Sequence, residues 1–299
     1  MKNIYEQVDE NKLRSNIIIV LFIAFITAAA YLIAYAMGYD LSFVGFALII
    51  SGVISFASYY YSDQIILSIS SARPATRTEF FDFYTVAENL SHADGLPMPK
   101  LYVIEDTAMN AFATGRDPQH AVVCATTGLL SRLNRTEIEG VIAHELSHVK
   151  NYDTRLMGIV AILVGMVTLL ADILLRTRFR GRGDRKNDGD LGAILFIAGI
   201  VMALLSPLIA QLIQLAISRR REFLADASGA QLTRYPEGLA RALEKISADT
   251  EPLEAANKAT AHLYIANPLK NRSDSVGWFA GLFNTHPPVK ERIKALRSE

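Results

Sequence analysis

The sequence has almost no cysteine. Cys124 is the only one in 299 residues, which excludes a disulfide-stapled secreted fold. Inside the apolar run Ala121–Ala125 it reads as a buried, inert thiol. An excess of either charge is lacking too. Lys+Arg and Asp+Glu both number 30, so a basic nucleic-acid binder is not indicated and no nucleic-acid partner is expected. Internal repeats are absent, and 176–190 is the one low-complexity stretch. The largest absence is local. Ser15–Tyr39, Leu41–Ser62, Leu156–Ala171 and Leu191–Ser218 contain no Asp, Glu, Lys, Arg or His, and they run for 25, 22, 16 and 28 residues. All 60 charged residues fall in the other 208, about 29% of them, the density of an ordinary soluble surface. With 51% hydrophobic residues a sizeable core is available, which rules out a disordered chain.

A membrane helix needs ~20 apolar residues to cross ~30 Å of hydrocarbon. Ile17–Met37 and Leu41–Tyr61 satisfy this, with only Gly38–Asp40 between them, and read as a two-helix hairpin. A cleaved signal peptide has a core of ~7–15 residues and no second apolar run at once behind it. Lys2, Lys12 and Arg14 precede the hairpin and its turn has no basic residue, so the tail is expected in the cytosol. The chain returns there for Asp63–Arg155. The later runs are less clear. Leu156–Leu175 reaches 20 residues only by including Asp172, and Leu191–Ser218 contains Pro207. If both cross, Arg176, Arg178, Arg180, Arg182, Arg185 and Lys186 lie outside, against the positive-inside tendency. Otherwise the pair dips in and returns, or packs on the protein. Either way 63–155 and 219–299 share one side and can build one site. The expected organisation is a tail and membrane hairpin (1–62), a first cytosolic half (63–155), a pair of apolar helices with the basic loop 176–190 (156–218), and a second cytosolic half (219–299).

The soluble parts read as α+β, mainly α-helical, with a small sheet. Thr76-Arg77-Thr78-Glu79 has the capping-box pattern before a helix over Phe80–Leu90. Leu101–Ile104, Asn110–Thr114 and Ala121–Ala125 read as strands, the last two joined by a turn at Gly115–Gln119. Asn134, with Glu137 three residues on, opens a helix through Asn151. Pro236–Ser247, Leu253–Ile265 and Pro287–Leu296 read as further helices.

The decisive pattern is His144-Glu145-Leu146-Ser147-His148. On a helix, residues four apart share a face, so two imidazoles can hold one Zn²⁺, with Glu145 beside them as the base that activates water. The apolar neighbours Ile138, Val141, Ile142, Leu146 and Val149 suit a buried helix. No Pro or Gly interrupts Val141–Met157, and Leu156 would follow His148 by ~12 Å of helix. An unbroken helix would therefore set the metal near the bilayer rim. A catalytic zinc takes a third protein ligand and keeps one position open. The best source is Arg219-Arg220-Arg221-Glu222-Phe223-Leu224-Ala225-Asp226. Glu222 reads equally as a ligand or as a charge paired with Arg219 or Arg221 at the rim. Asp226, one turn on, could accept the second ring N–H of a metal-bound histidine.

His144-Glu145-x-x-His148 followed by Glu222-Phe223-x-Ala225-Asp226 resembles the HtpX family of membrane zinc metalloproteases, relatives of the CAAX prenyl proteases. The likeness extends to the N-terminal hairpin, Asn110-Ala111-Phe112-Ala113-Thr114-Gly115, and His286-Pro287-Pro288 with Arg292. It implies a gluzincin-like metalloprotease domain with up to four transmembrane helices. It implies one Zn²⁺ per chain on His144, His148 and Glu222, with Glu145 as general base and acid. It further implies an inner-membrane, multi-pass endopeptidase with a cytosolic active site, whose partners are the lipid bilayer and membrane-protein or peptide substrates. The family's role is degrading damaged or misfolded membrane proteins under stress. His286 would steady the transition state and Arg292 the substrate. Asn110, Ala111 and Phe112 would form an edge strand to which an extended peptide adds.

Other readings stand beside these. Asn110–Ala113 also fits a plain hairpin strand, and His286 also fits a helix flank. His92 and His120 lie beside turns and are expected exposed; His262 suits a satisfied core position. Trp278 and Phe279 fit a pocket or the membrane surface, and 176–190 fits an anionic headgroup site or a solvated loop. The rival function is a non-catalytic metal-binding membrane scaffold, for which Glu145 would have no use. A transporter is weaker, because paired broken helices and several buried charges are lacking.

Overall fold

A computed structural model describes residues 4–37, 42–163, 219–254, 260, 263–266 and 287–298. Helix α1 (Ile4–Met37) packs beside α2 (Ser42–Tyr60), which bends at Tyr61 into α3 (Ser62–Ile69). Residues 63–155 contribute β1 (Arg73–Pro74), α4 (Phe81–Asp94), β2 (Lys100–Ile104), β3 (Ala111–Thr114), β4 (Val122–Thr126), α5 (Thr127–Arg132) and α6 (Arg135–Lys150). After α6 come helical residues 153–163 (α7), then α8 (Arg219–Thr233), α9 (Pro236–Ala248) and α10 (Val289–Leu296). The expected loop 176–190, the run Leu191–Ser218, the third run beyond Leu163, most of the expected helix Leu253–Ile265, His262, Trp278, Phe279 and His286 lie outside the described residues.

The described strands form one mixed sheet in the order β1-β2-β4-β3. β2 and β4 run parallel, and the outer pairs are antiparallel. Phe83, Val86 and Leu90 of α4, Val103 and Val123 of the sheet, Val141, Ile142 and Leu146 of α6, and Leu239, Leu243 and Ile246 of α9 bury one continuous core. Cys124 lies within β4, fully buried, and burial raises its thiol above the ordinary range.

Helix α6 begins as its sequence dictates. Asn134 accepts from the Glu137 N–H at 3.0 Å, and Glu137 returns a carboxylate to the Asn134 N–H at 2.8 Å. The similar Thr76–Glu79 pattern does not cap α4, which starts at Phe81 without a side-chain cap. Arg73 takes the Glu79 carboxylate instead, at 2.9 and 2.5 Å, and a charged fork outcompetes a single backbone N–H.

Two close approaches set the position of α6. A Cβ on Gly140 would lie 2.5 Å from the Leu239 nitrogen of α9, and one on Gly229 of α8 would lie 3.0 Å from the His144 nitrogen. Gly140→Ala therefore has to push α9 away. A loss of about 1–3 kcal/mol is expected, read as a lower Tm, although alanine is the better helix former.

The structure departs from the expected membrane hairpin. Among the described residues no single helix meets the combined length and apolarity required to cross a bilayer. α2 and α3 together do so, across a bend of 83°. The surface of α2 is inverted relative to a water-soluble helix. Phe46, Ile49, Val53 and Phe56 are 58–65% exposed, whereas Ser51, Ser55 and Ser58 are 0–3% exposed.

Helix α6 ends within a residue of its expected limit, and the unbroken continuation that would carry it on towards Leu156 does not occur. It ends at Lys150, and Tyr152 adopts a left-handed backbone with φ 59°, so α7 departs in a new direction. No Pro or Gly signals the break. A left-handed tyrosine costs on the order of 1 kcal/mol or more and persists where surrounding bonds over-determine it. Those bonds belong to the next residue, Asp153.

Candidate metal centre

Helices α6 and α8 pack against one another and supply three buried side chains to one point. His144 and His148, one turn apart on α6, place their Nε2 atoms 3.2 Å from each other. Glu222 of α8 approaches both, with Oε1 3.5 Å from His148 Nε2 and Oε2 3.8 Å from His144 Nε2. One donor atom from each residue lies within 4.8 Å of the others.

The far ring nitrogens are engaged. His144 Nδ1 lies 3.0 Å from Asp226 Oδ1, and His148 Nδ1 lies 3.0 Å from Asp153 Oδ2. A carboxylate can only accept there, so both Nδ1 atoms carry the proton and donate it. Each Nε2 lone pair is left facing the other across 3.2 Å. Two such lone pairs repel unless a proton or a metal ion lies between them. Two imidazoles and a carboxylate, each buried and oriented from behind, fit a divalent transition metal, and Zn²⁺ among the common ones.

Glu145 lies beside these groups, 3% exposed. Burial raises its carboxyl above the usual carboxylate range, and His144 and His148 oppose that shift, as does a hydrogen bond from the Ala113 N–H of β3. His148 shows a different balance. Burial lowers it, but Asp153, Glu222 and Glu145 prevail and raise it to about 9. A metal ligand must be deprotonated, so below about pH 9 a proton competes for the same nitrogen. Metal affinity of the chelator-stripped chain is therefore expected to fall roughly tenfold per pH unit as pH drops from 9 towards 7, and to level off above 9. Titration calorimetry at several pH values, repeated in buffers of different ionisation enthalpy, would show the released proton.

Arg292, expected to contact substrate, is fully buried. Its Nε and Nη2 donate to the two Asp226 oxygens at 2.8 and 2.7 Å, and its Nη1 donates to the Ile265 carbonyl at 3.2 Å. The structure thus places it behind Asp226, where it holds a carboxylate that holds His144. Asn110, Ala111 and Phe112 are also buried, at the start of β3, one of the two outer strands of the described sheet. The Asn110 amide donates to the Ala266 carbonyl at 3.1 Å, the Ile265 N–H donates to the Ala111 carbonyl at 2.9 Å, and Phe112 meets Tyr264 edge-on at 5.0 Å. Residues 263–266 already use this part of the edge. His92 and His120 are exposed, as expected.

Asp153 was not among the residues singled out from the sequence. The available signal was an acid five residues after the second histidine, a spacing that an unbroken helix would turn away from the ring.

The pattern of Peptidase family M48 matches residues 78–299, which include every described residue of this centre. The chain belongs to peptidase family M48. It is a metallopeptidase, as the M48 match and its relatives together show. A protease HtpX homolog of Dictyoglomus thermophilum is 46% identical over 297 residues, covering 98% of this chain and 94% of that relative. Another from Thermoanaerobacter pseudethanolicus is 42% identical over 300 residues, covering 99% and 98%. The crystal structure of S. mikatae Ste24p superposes with a TM-score of 0.51 at 19% identity, over 97% of this chain and 66% of that one, which shows a shared fold. In the M48 chain described here, the mainly helical architecture with a small mixed sheet accords with that likeness.

Proposed function

We propose that this M48 metallopeptidase is a zinc endopeptidase anchored in the inner membrane, with its centre on the cytosolic side. Its substrates would be damaged or misfolded membrane proteins. The observation that carries the catalytic reading is the convergence of His144, His148 and Glu222 within 4.8 Å, with the buried acid Glu145 beside them. His144 and His148, through Nε2, and Glu222 would hold the ion. Bound there, zinc supplies a Lewis acid for the scissile carbonyl.

The chain's own groups do the remaining work. Glu145 accepts the proton of the attacking water and returns it to the departing amine, a dual role that suits a carboxyl raised by burial. Asp226 and Asp153 fix the ring orientation and tautomer of the two histidines. Arg292 steadies Asp226. His286, from the resemblance, would stabilise the developing oxyanion; it lies outside the described residues.

Membrane anchoring is supported by the inverted surface of α2. Exposed Phe, Ile and Val with buried serines is what hydrocarbon favours, since small residues then form the helix contacts. The test of catalysis against a scaffold role compares the wild type with Glu145→Gln, each in bilayer nanodiscs with a membrane-protein substrate. Retained zinc without cleavage supports the enzyme, and undiminished cleavage would overturn it.

A further inference from the structure

Asn11 of α1 reaches the back of the centre from the segment before the apolar run. It is 3% exposed. Its Nδ2 donates to Asp153 Oδ1 and to the Asn151 carbonyl, both at 2.8 Å, and its Oδ1 accepts from Arg221 Nη1 at 2.9 Å. The orientation of the amide is unambiguous. Turned over, its oxygen would face two acceptors and its NH₂ a guanidinium. Arg221 Nε closes the triangle, 3.4 Å from the same Asp153 oxygen. The other Asp153 oxygen, Oδ2, lies 3.0 Å from His148 Nδ1. Asp153 is thus gripped on one oxygen by Asn11 and Arg221 and presents the other to His148.

We propose that Asn11 is a positioning residue of the metal centre, through which the N-terminal helix fixes Asp153 and, through it, the His148 ring. The inference rests on the reading of His144, His148 and Glu222 as metal ligands. Two further features belong to the same arrangement. Asn11 opposes the very loop in which Tyr152 departs from helical geometry, so its two donated bonds help hold the turn that returns Asp153 to α6. Four residues on, Ser15 Oγ bonds the Asn11 carbonyl at 2.8 Å, and α1 continues without a break to Met37. One continuous helix therefore carries both Asn11 and the first apolar run, and partners that orient a ligand histidine typically alter metal affinity 10–100-fold when removed.

The test uses the full chain in detergent or nanodiscs and follows zinc release to a chelator. Asn11→Leu, of similar volume and without polar atoms, is expected to release zinc about tenfold faster, at the lower end of that range because it acts through Asp153. Lys12→Ala is the control. Lys12 docks the same stretch of helix by placing its Nζ 4.4 Å from the Tyr152 ring, without touching Asp153, and its release rate is expected within twofold of wild type. Release from Asn11→Leu within twofold of wild type, or equal acceleration in both variants, would overturn the proposal. Should Asn11→Leu fail to fold, hydrogen exchange of the wild type decides. Coupling is reciprocal, so zinc loading must slow exchange in residues 4–16, and unchanged exchange there would overturn the proposal. Zinc retention by His148→Ala at the wild-type level would instead refute the ligand assignment, independently of Asn11.

Discussion

Glu145→Gln is expected to abolish proteolysis while leaving the fold and bound zinc in place. The amide has the carboxylate's shape, and it can still accept from the Ala113 N–H. It cannot take a proton from water or deliver one to an amine. General acid–base groups contribute on the order of 10²–10⁴-fold, and because this one would serve both proton transfers, the loss belongs at the upper end. Removing the charge also relieves a cost. Burial disfavours the ionised Glu145, so the variant should be at least as stable as the wild type. The measurements are zinc content by mass, Tm, and the rate of cleavage of a membrane-protein substrate. Lost zinc would mean that Glu145 supports the metal rather than the reaction.

Arg292→Leu is expected to be the most damaging substitution outside the ligands. The wild-type guanidinium holds both Asp226 oxygens in a buried site. Burial alone would raise the Asp226 carboxyl, and Arg292 reverses that and keeps it ionised. Removing one partner of a buried pair leaves an uncompensated charge, at a cost of about 3–5 kcal/mol. The damage should reach His144, because Asp226 also holds its Nδ1 at 3.0 Å. A lower Tm and weaker zinc binding should therefore appear together. Adding Asp226→Asn should recover part of the Tm without restoring zinc affinity. Arg292→Lys should fall between, since an ammonium cannot span both oxygens as the planar fork does. A substrate-binding arginine would behave otherwise, with KM raised and Tm unchanged.

What the sequence reveals about this centre divides by the range of the interactions. The facing of His144 and His148, and the reciprocal cap of Asn134 and Glu137, follow from helical spacing and lie within one or two turns. The strands at 100–104, 111–114 and 122–126 fall within a residue of their expected limits, because β-rich runs between turn residues announce them. Asp226 was readable as a carboxylate behind a histidine, once Glu222 was placed on the same helix face. Asn11 and Asp153 were not readable. They meet across 142 residues of chain, and Asp153 reaches His148 only because Tyr152 breaks a helix that carries no breaker. Thr76–Glu79 failed as a cap for a comparable reason, since Arg73 competes for Glu79 through a contact that local pattern does not encode.

The bond between Arg292 and Asp226 also bears on when the protein becomes active. A ribosome makes Asn11 first, the motif helix midway, Glu222 and Asp226 later, and Arg292 after all of them. Until residue 292 is available, Asp226 is a buried carboxylate without its counter-ion, and His144 lacks a firm support. The hydrolytic centre therefore cannot be completed before residue 292 has been made. A chain still short of that residue does not carry a working blade.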